Sequence, residues 1–214
     1  MASDLKSRLK ILLFDSPVGD LRRHVKANRE IKVWEKAGCP APPPHIIKQQ
    51  ILSAYASDFR TQTLIETGTY LGDMVYAMKD RFQRIVSIEL SDAFYRQANR
   101  RFAPYLNVEI RHGDSAEALA TILSTVSSRC LFWLDGHYSA GLTARGKTNT
   151  PVLQEVQLIF GHTIKDHVIL IDDGRCFDGT NDYPTLEELR ELVKQTAHDY
   201  DFSVKQDVIR IHPR

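Results

Sequence analysis

The chain has 214 residues, of which 43% are apolar and 26% are charged, and its formal net charge is +1. These proportions are typical of a globular protein with a sizeable core, and they exclude the strongly basic field of a general nucleic-acid-binding protein. No apolar run approaches the roughly 20 residues that a membrane span needs. The three cysteines form no C-x-x-C pair, which favours a reducing cytoplasm over a disulfide framework or a zinc site.

The first 60 residues are predicted to form a helical appendage. Four leucines recur at helical spacing, namely Leu5, Leu9, Leu12 and Leu13. Further helices are predicted over 21–36 and 45–58, with a proline-rich break at 40–44 between them. Residues 1–60 hold eleven Lys/Arg against six Asp/Glu, and this basic charge fits a solvated helical face or contact with an anionic partner or a second subunit. We therefore predict homo-oligomerisation through these helices, with no nucleic-acid or membrane partner.

From residue 61 to residue 214, short β-branched runs alternate with helical stretches. The predicted strands are Thr63–Glu66, Arg84–Glu89, Val108–Arg111, Cys130–Asp135 and His167–Asp172, and the helices between them lie near 72–81, 92–102, 115–126 and 151–160. This alternation predicts βαβ units and a mostly parallel α/β sheet with right-handed crossovers. After a helix at Pro184–Ala197, the last strands, Phe202–Lys205 and Val208–Ile211, are two residues apart and must form an antiparallel hairpin.

A glycine-containing turn follows the first strand, in the sequence Glu66-Thr67-Gly68-Thr69-Tyr70-Leu71-Gly72. Glycine lets the backbone approach a ligand, and the following helix directs its positive end to the same place. Tight packing of a strand against a helix also selects glycine, so this turn has a structural interpretation as well. The sequence alone leaves both interpretations open.

Acidic residues also follow the second and third strands. Glu89 ends the second strand, 23 residues after Glu66, where a carboxylate can grip a ribose diol. Asp114 and Ser115 follow the third strand, where an acid can hydrogen-bond an adenine amino group. Three such features in succession predict a nucleoside-binding edge of the sheet.

With these residues in place, the segment 61–214 resembles a class I S-adenosylmethionine (SAM)-dependent methyltransferase. The resemblance implies a doubly wound seven-stranded sheet of order 3-2-1-4-5-7-6. It also implies that the loop acid holds the methionine end of SAM, the second-strand acid the ribose, and the third-strand Asp with its neighbour the adenine. The implied cofactor-binding residues are Glu66, Gly68, Thr69, Gly72, Glu89, Asp114 and Ser115. Tyr70 replaces the small residue that many members of the family carry inside the loop.

The fourth and fifth strands end in carboxylates, Asp135 on one and Asp172 with Asp173 on the other. Tips of adjacent parallel strands lie about 4.8 Å apart, so these carboxylates are predicted to hold Mg²⁺ or a similar ion. His137 beside Asp135 is predicted to act as a base, and the loop 136–150 to cover the acceptor. The alternatives are that Asp172 and Asp173 cap a turn and that His137 is an ordinary loop histidine.

This arrangement is similar to that of metal-dependent O-methyltransferases of the catechol and macrolide-sugar types. The stretch from Asp135 to Gly141 looks closer to bacterial methyltransferase-like proteins of polysaccharide modification. The resemblance implies methyl transfer from SAM to a hydroxyl of a small, sugar-like acceptor, with Asp135 and His137 as catalytic residues.

Two other functions remain open at the level of sequence. Residues 141–148 match the phosphate-binding pattern G-x-x-x-x-G-K-[ST], which predicts a nucleotide phosphohydrolase. Five residues separate Asp135 from Gly141, however, and Pro151 suits the first position of a helix capped by Thr150 better than the interior of a P-loop helix. The second alternative is a non-catalytic module that keeps the cofactor fold without turnover.

Overall fold

Seven strands form one mixed sheet, and helices connect the parallel strands. A computed structural model describes residues 17–136 and 150–214. The strands are β1 Thr63–Thr67, β2 Arg84–Glu89, β3 Val108–His112, β4 Cys130–Leu134, β5 Val168–Ile171, β6 Tyr200–Lys205 and β7 Val208–Pro213. The helices are α1 Pro17–Lys36, α2 His45–Asp58, α3 Asp73–Met78, α4 Asp92–Phe102, α5 Ser115–Leu123, α6 Val152–Gly161 and α7 Leu186–Thr196.

The chain divides into two compact units, residues 1–48 and residues 49–214. In the first unit, α1 begins at Pro17, four residues before the start predicted at residue 21. The indole N–H of Trp34 in this helix donates to the Pro40 carbonyl at 2.7 Å. The leucine-rich helix predicted around Leu5–Leu13 lies outside the described residues. The domain boundary at residue 60 stays a prediction.

The sheet order is β3-β2-β1-β4-β5-β7-β6, as the resemblance implied. β1 lies inside the sheet and pairs in parallel with β2 on one side and with β4 on the other. The winding therefore reverses between β1 and β4, and ligands of doubly wound sheets bind outside the carboxyl ends of the strands at such a point.

Burial on both faces explains the apolar character of the central strands. Every residue of β4 and β5 is buried, which is typical of a parallel sheet covered by helices. One face packs against apolar residues of α5, α6 and α7 in a continuous core, and α4 packs near β2 and β3. The sheet edge that carries the predicted site is thus held by a rigid core.

The terminal hairpin is antiparallel, as predicted, and β7 pairs antiparallel with β5. Its two-residue turn consists of Gln206 and Asp207, both with positive φ, which is the geometry that two-residue hairpins favour. Several helix boundaries differ from prediction. Helix α3 is shorter than the predicted 72–81, and α6 begins at Val152 with Pro151 at its N-cap, one residue later than expected.

Of the helices in the described part of the chain, none combines the length and the apolar character needed to cross a membrane.

Candidate functional site

The turn after β1 presses its backbone against the turn after β4. Gly68 has a φ of +87°, and a Cβ added there would lie 2.8 Å from the carbonyl carbon of Asp135 and closer still to its oxygen. Gly72 also has a positive φ, and its added Cβ would lie 2.5 Å from the Phe102 ring. Both glycines are therefore required by backbone conformation and by close approach.

Three N–H groups of this turn donate to backbone carbonyls of the protein itself. Gly68 and Thr69 donate to the Ile88 carbonyl at 2.9 and 3.2 Å, and Gly72 donates to the Thr69 carbonyl at 2.8 Å. Helix α3 behind the turn has six residues. Hydrogen bonds to β2 and within the turn therefore order this segment.

Glu66 lies beneath the turn and is 2% exposed. The Ser87 hydroxyl donates to its carboxyl, and Ser87 Oγ lies 2.6 Å from Thr69 Oγ1. Burial raises the pKa of Glu66 to about 8, against the lowering effect of the Ser87 hydrogen bond. Near neutral pH this group is mainly a neutral acid, and it links β1, β2 and the turn.

Glu89 ends β2 with both carboxylate oxygens oriented by backbone donors. The Tyr70 N–H donates to Oε2 at 2.7 Å and the Ser91 N–H to Oε1 at 2.8 Å. Glu89 is 6% exposed, and each oxygen keeps a lone pair beyond the one that the backbone uses. The carboxylate is therefore held in place with acceptor capacity to spare, as a ribose-binding acid requires.

Asp114 is the N-cap of α5, and Ser115 is the first residue of that helix. Asp114 Oδ1 accepts the Ala116 N–H at 3.0 Å, so one oxygen of this carboxyl has a structural role. The structure places the predicted pair directly after β3, beside the tip of β2 that carries Glu89. Asp114 and Glu89 therefore lie at neighbouring strand tips on the same edge of the sheet.

The carboxylates after β4 and β5 are also at that edge, but Asp173 is paired with an arginine. Arg175 Nη1 lies 2.9 Å from Asp173 Oδ1 and also bonds the buried Asp207 of the hairpin turn. Asp172 is 2% exposed, and its Oδ1 accepts the Asp173 N–H at 2.8 Å. Asp173 itself has a φ of +55° at the start of a 3₁₀ turn. The Asp172 side chain thus accepts a backbone N–H of this turn, as the turn-capping alternative expects, whereas the Asp173 side chain makes no capping hydrogen bond.

The predicted metal site finds no support in this geometry. Within residues 17–136 and 150–214, no three His, Cys, Asp or Glu side chains are grouped so that they could hold a metal ion. Arg175 supplies the positive charge that an ion would otherwise bring to Asp173. Among the described residues, Asp135, Asp172 and Asp173 are thus not grouped into a shared cation site, and we derive no chemical step through a metal.

Asp135 is half-buried at the tip of β4, and its N–H donates to the Thr67 carbonyl at 3.0 Å. Burial raises the pKa of the Tyr183 phenol, and the charges of Cys176, Asp173 and Asp135 raise it further. A phenol and several acidic groups therefore lie near one another beside the β4 tip. His137 and the P-loop-like residues 141–148 lie outside the described residues.

Sequence reasoning missed Glu155, which is 1% exposed on α6. Its Oε1 and the Thr67 Oγ1 are buried and have no hydrogen-bond partner among the described residues. Burial raises the pKa of Glu155 to about 7, the Ser115 and Thr67 hydroxyls beside it lower it, and the Asp114 charge raises it. The available signal was a glutamate at the first turn of a largely apolar helix, and such a residue is commonly solvent-exposed.

Several solved structures that are similar to this chain are methyltransferases. The O-methyltransferase TomG of Streptomyces achromogenes, in complex with SAM, is 14% identical with a TM-score of 0.58, covering 87% of this chain and 87% of that chain. The Podospora anserina methyltransferase PaMTH1, bound to S-adenosylhomocysteine, is 15% identical with a TM-score of 0.58. The similarity covers 91% of this chain and 96% of PaMTH1. A putative caffeoyl-CoA O-methyltransferase of Staphylococcus aureus is 12% identical with a TM-score of 0.56. The similarity covers 98% of this chain and 100% of that protein.

No protein-family model matches the sequence, and no curated protein matches it either. The structural similarity agrees with the sheet order and with the antiparallel last strand. The chain has the fold of the class I SAM-dependent methyltransferases.

Proposed function

We propose that this protein binds SAM at the carboxyl ends of β1, β2 and β3 and transfers its methyl group to a hydroxyl of a small, sugar-like acceptor. The observation that carries the proposal is Glu89, whose two carboxylate oxygens are fixed by the N–H groups of Tyr70 and Ser91. The O-methyltransferase TomG, which shares the fold, is solved with SAM bound.

Glu89 would accept hydrogen bonds from the two ribose hydroxyls. Its oxygens are already oriented, so little ordering remains to be done when the ligand arrives. Asp114 would accept from the adenine amino group through the oxygen that does not cap α5. Gly68 brings the β1 turn close to the backbone of Asp135. The ribose and the methionine part of SAM would lie along these two turns. Glu66, to which the resemblance assigns the methionine end of SAM, would instead support the turn from below through Ser87 and Thr69.

Methyl transfer requires the acceptor oxygen to approach the methyl carbon in line with the bond that breaks. Bound SAM supplies an electrophilic methyl group on a sulfonium. The proton of the acceptor hydroxyl must leave during or before attack, and Asp135 at the β4 tip would orient that hydroxyl. His137 is proposed from the sequence as the base that takes the proton.

The remaining features of the function are proposals from the sequence. A sugar-like acceptor, a cytoplasmic setting and homo-oligomerisation through the N-terminal helices belong to this group. Metal assistance was predicted from three carboxylates that the structure does not bring into one site. The proposal therefore relies on orientation and proton removal.

Calorimetric titration of the protein with SAM and, separately, with ATP tests this function. We expect binding of SAM and no binding of ATP. A phosphohydrolase using residues 141–148 would bind ATP in a manner that Lys147→Ala abolishes. Incubation with SAM and a panel of sugar hydroxyl acceptors, with S-adenosylhomocysteine as the measured product, separates an enzyme from a non-catalytic module. A protein that does not bind SAM would contradict the proposal.

A further inference from the structure

The carboxyl of Glu155 lies at the junction of two turns of the proposed cofactor site. Thr67 precedes Gly68 at the tip of β1, and Ser115 follows Asp114 after β3. The hydroxyls of both residues lie close enough to the Glu155 carboxyl to lower its pKa. In the sheet β2 separates β1 from β3, so no backbone pairing joins these two tips.

The space around this carboxyl is polar and closely packed. A Cβ added at Gly136 would lie 3.1 Å from Thr67 Oγ1 and 3.6 Å from Ser115 Oγ, so the turn after β4 closes over the same two hydroxyls. Glu155 Oε1 and Thr67 Oγ1 nevertheless have no hydrogen-bond partner among the described residues. Buried polar atoms are seldom left unpaired without a functional reason or an unobserved partner.

The protonation state of this group decides which hydrogen bonds it can make. A neutral carboxyl offers one donor and one acceptor, whereas a carboxylate offers acceptors alone. Burial raises the pKa of Glu155 to about 7, so both forms exist near neutral pH. Asp114 supplies the charge that acts on the group among the described residues, and it disfavours a second negative charge beside it.

We propose that Glu155 is a positioning residue of the cofactor site, which in its neutral form holds the β1 tip and the β3–α5 turn in the geometry that receives the nucleoside of SAM. Ionisation places a second negative charge beside Asp114 in a dry environment and loosens both turns. SAM affinity therefore depends on the proton of Glu155. This inference rests on the proposed function.

The expected size of the effect follows from the fraction of protein in the neutral form. If SAM binds the neutral form, the apparent affinity falls by about tenfold between pH 6 and pH 8, because the neutral fraction falls by about that factor around a pKa of about 7. Glu155→Gln keeps a donor and an acceptor without titrating. This variant is expected to bind SAM at pH 8 as tightly as the wild type does at pH 6.

The experiment measures the dissociation constant of SAM by calorimetry from pH 6 to pH 8 in the wild type, in Glu155→Gln and in Glu117→Gln. Glu117 is exposed in the first turn of α5 and serves as the matched control, so its variant is expected to keep the wild-type profile. A pH profile of Glu155→Gln that parallels the wild type overturns the inference, whatever the variant does to thermal stability.

A second variant keeps the test decisive if Glu155→Gln does not fold. Thr67→Val keeps the side-chain shape and removes a hydroxyl that lowers the pKa of Glu155, so we expect the fall in SAM affinity to move to higher pH. Wild-type affinity and a wild-type pH profile in Thr67→Val would then overturn the inference. Wild-type protein that binds SAM equally at all pH values rejects the role of Glu155 alone. Wild-type protein that binds no SAM rejects the proposed function and this inference together.

Discussion

Replacing Gly68 by alanine tests whether the backbone contact between the β1 and β4 turns shapes the site. Gly68 has a φ of +87°, where an alanine costs about 1–2 kcal/mol. The added Cβ would lie 2.8 Å from the Asp135 carbonyl carbon, so backbone must move, and overpacking of this kind typically costs about 1–3 kcal/mol. The two costs together predict a loss of roughly 2–5 kcal/mol in the free energy of unfolding.

Two control variants separate these costs. Gly38→Ala introduces alanine at a φ of +83° with nothing within 4 Å, and Gly161→Ala adds a Cβ in open space without a positive φ. We expect the loss of stability to follow the order Gly68, then Gly38, then Gly161, measured by urea unfolding. We also expect Gly68→Ala to weaken SAM binding at least tenfold in the folded protein. A Gly68→Ala protein as stable as Gly38→Ala, with wild-type SAM affinity, would refute the reasoning.

Three further predictions concern His167, the N-cap Thr185 and the aspartates that follow β5. Burial and the charge of His162 lower the pKa of His167 to about 4, so the stability that the neutral ring contributes is present above pH 6.5 and is lost as the pH falls towards 4. The loss in the free energy of unfolding should reach roughly 3 kcal/mol. His167→Asn should flatten the pH dependence of urea unfolding between pH 6.5 and pH 4. A variant with the wild-type pH dependence would contradict the pKa shift. The hydroxyl of Thr185 accepts the Glu188 N–H at 3.1 Å in a capping box. Thr185→Ala should therefore lower the free energy of unfolding by about 1 kcal/mol and the melting temperature by about 2–4 °C. An unchanged melting temperature would show that the cap contributes nothing to stability. Because Arg175 pairs with Asp173, millimolar Mg²⁺ and chelator should leave the melting temperature of the wild type unchanged; a rise that Asp172→Asn removes would instead restore the metal site predicted from the sequence.

The sheet could be predicted closely because each central strand is a short run of residues buried on both faces. The strand at Val168–Ile171 follows from its local apolar pattern, and the antiparallel hairpin follows from a connection too short for a crossover. Helix ends were harder to predict, and α3 ends at Met78 although the pattern predicted helix to residue 81. The side chains of one segment decide whether it is a strand, whereas the exact end of a helix depends on what packs beside it.

The tips of the strands could be predicted, but the partners of the acidic residues there could not. Asp172 and Asp173 lie where the sequence placed them, yet the ion pair of Asp173 involves Arg175, and Arg175 is held by Asp207 from the distant hairpin. Glu155 was missed because its burial comes from the packing of α6 against the sheet and α5, and a glutamate in the sequence carries no sign of that environment. Long-range packing therefore determines the electrostatics of the site.

The central claim is that Glu89 and its neighbours hold SAM, and calorimetric titration of Glu89→Ala tests it most directly. Removing charge-assisted hydrogen bonds to the ribose should weaken SAM binding by about 10- to 150-fold, equivalent to roughly 1.5–3 kcal/mol. The control is Glu187→Ala, which removes an exposed carboxylate from the first turn of α7. Melting curves of both variants confirm that they are folded at the temperature of the titration. The account predicts weakened binding in Glu89→Ala and wild-type binding in Glu187→Ala. Equal SAM affinity in the wild type and in folded Glu89→Ala would contradict it.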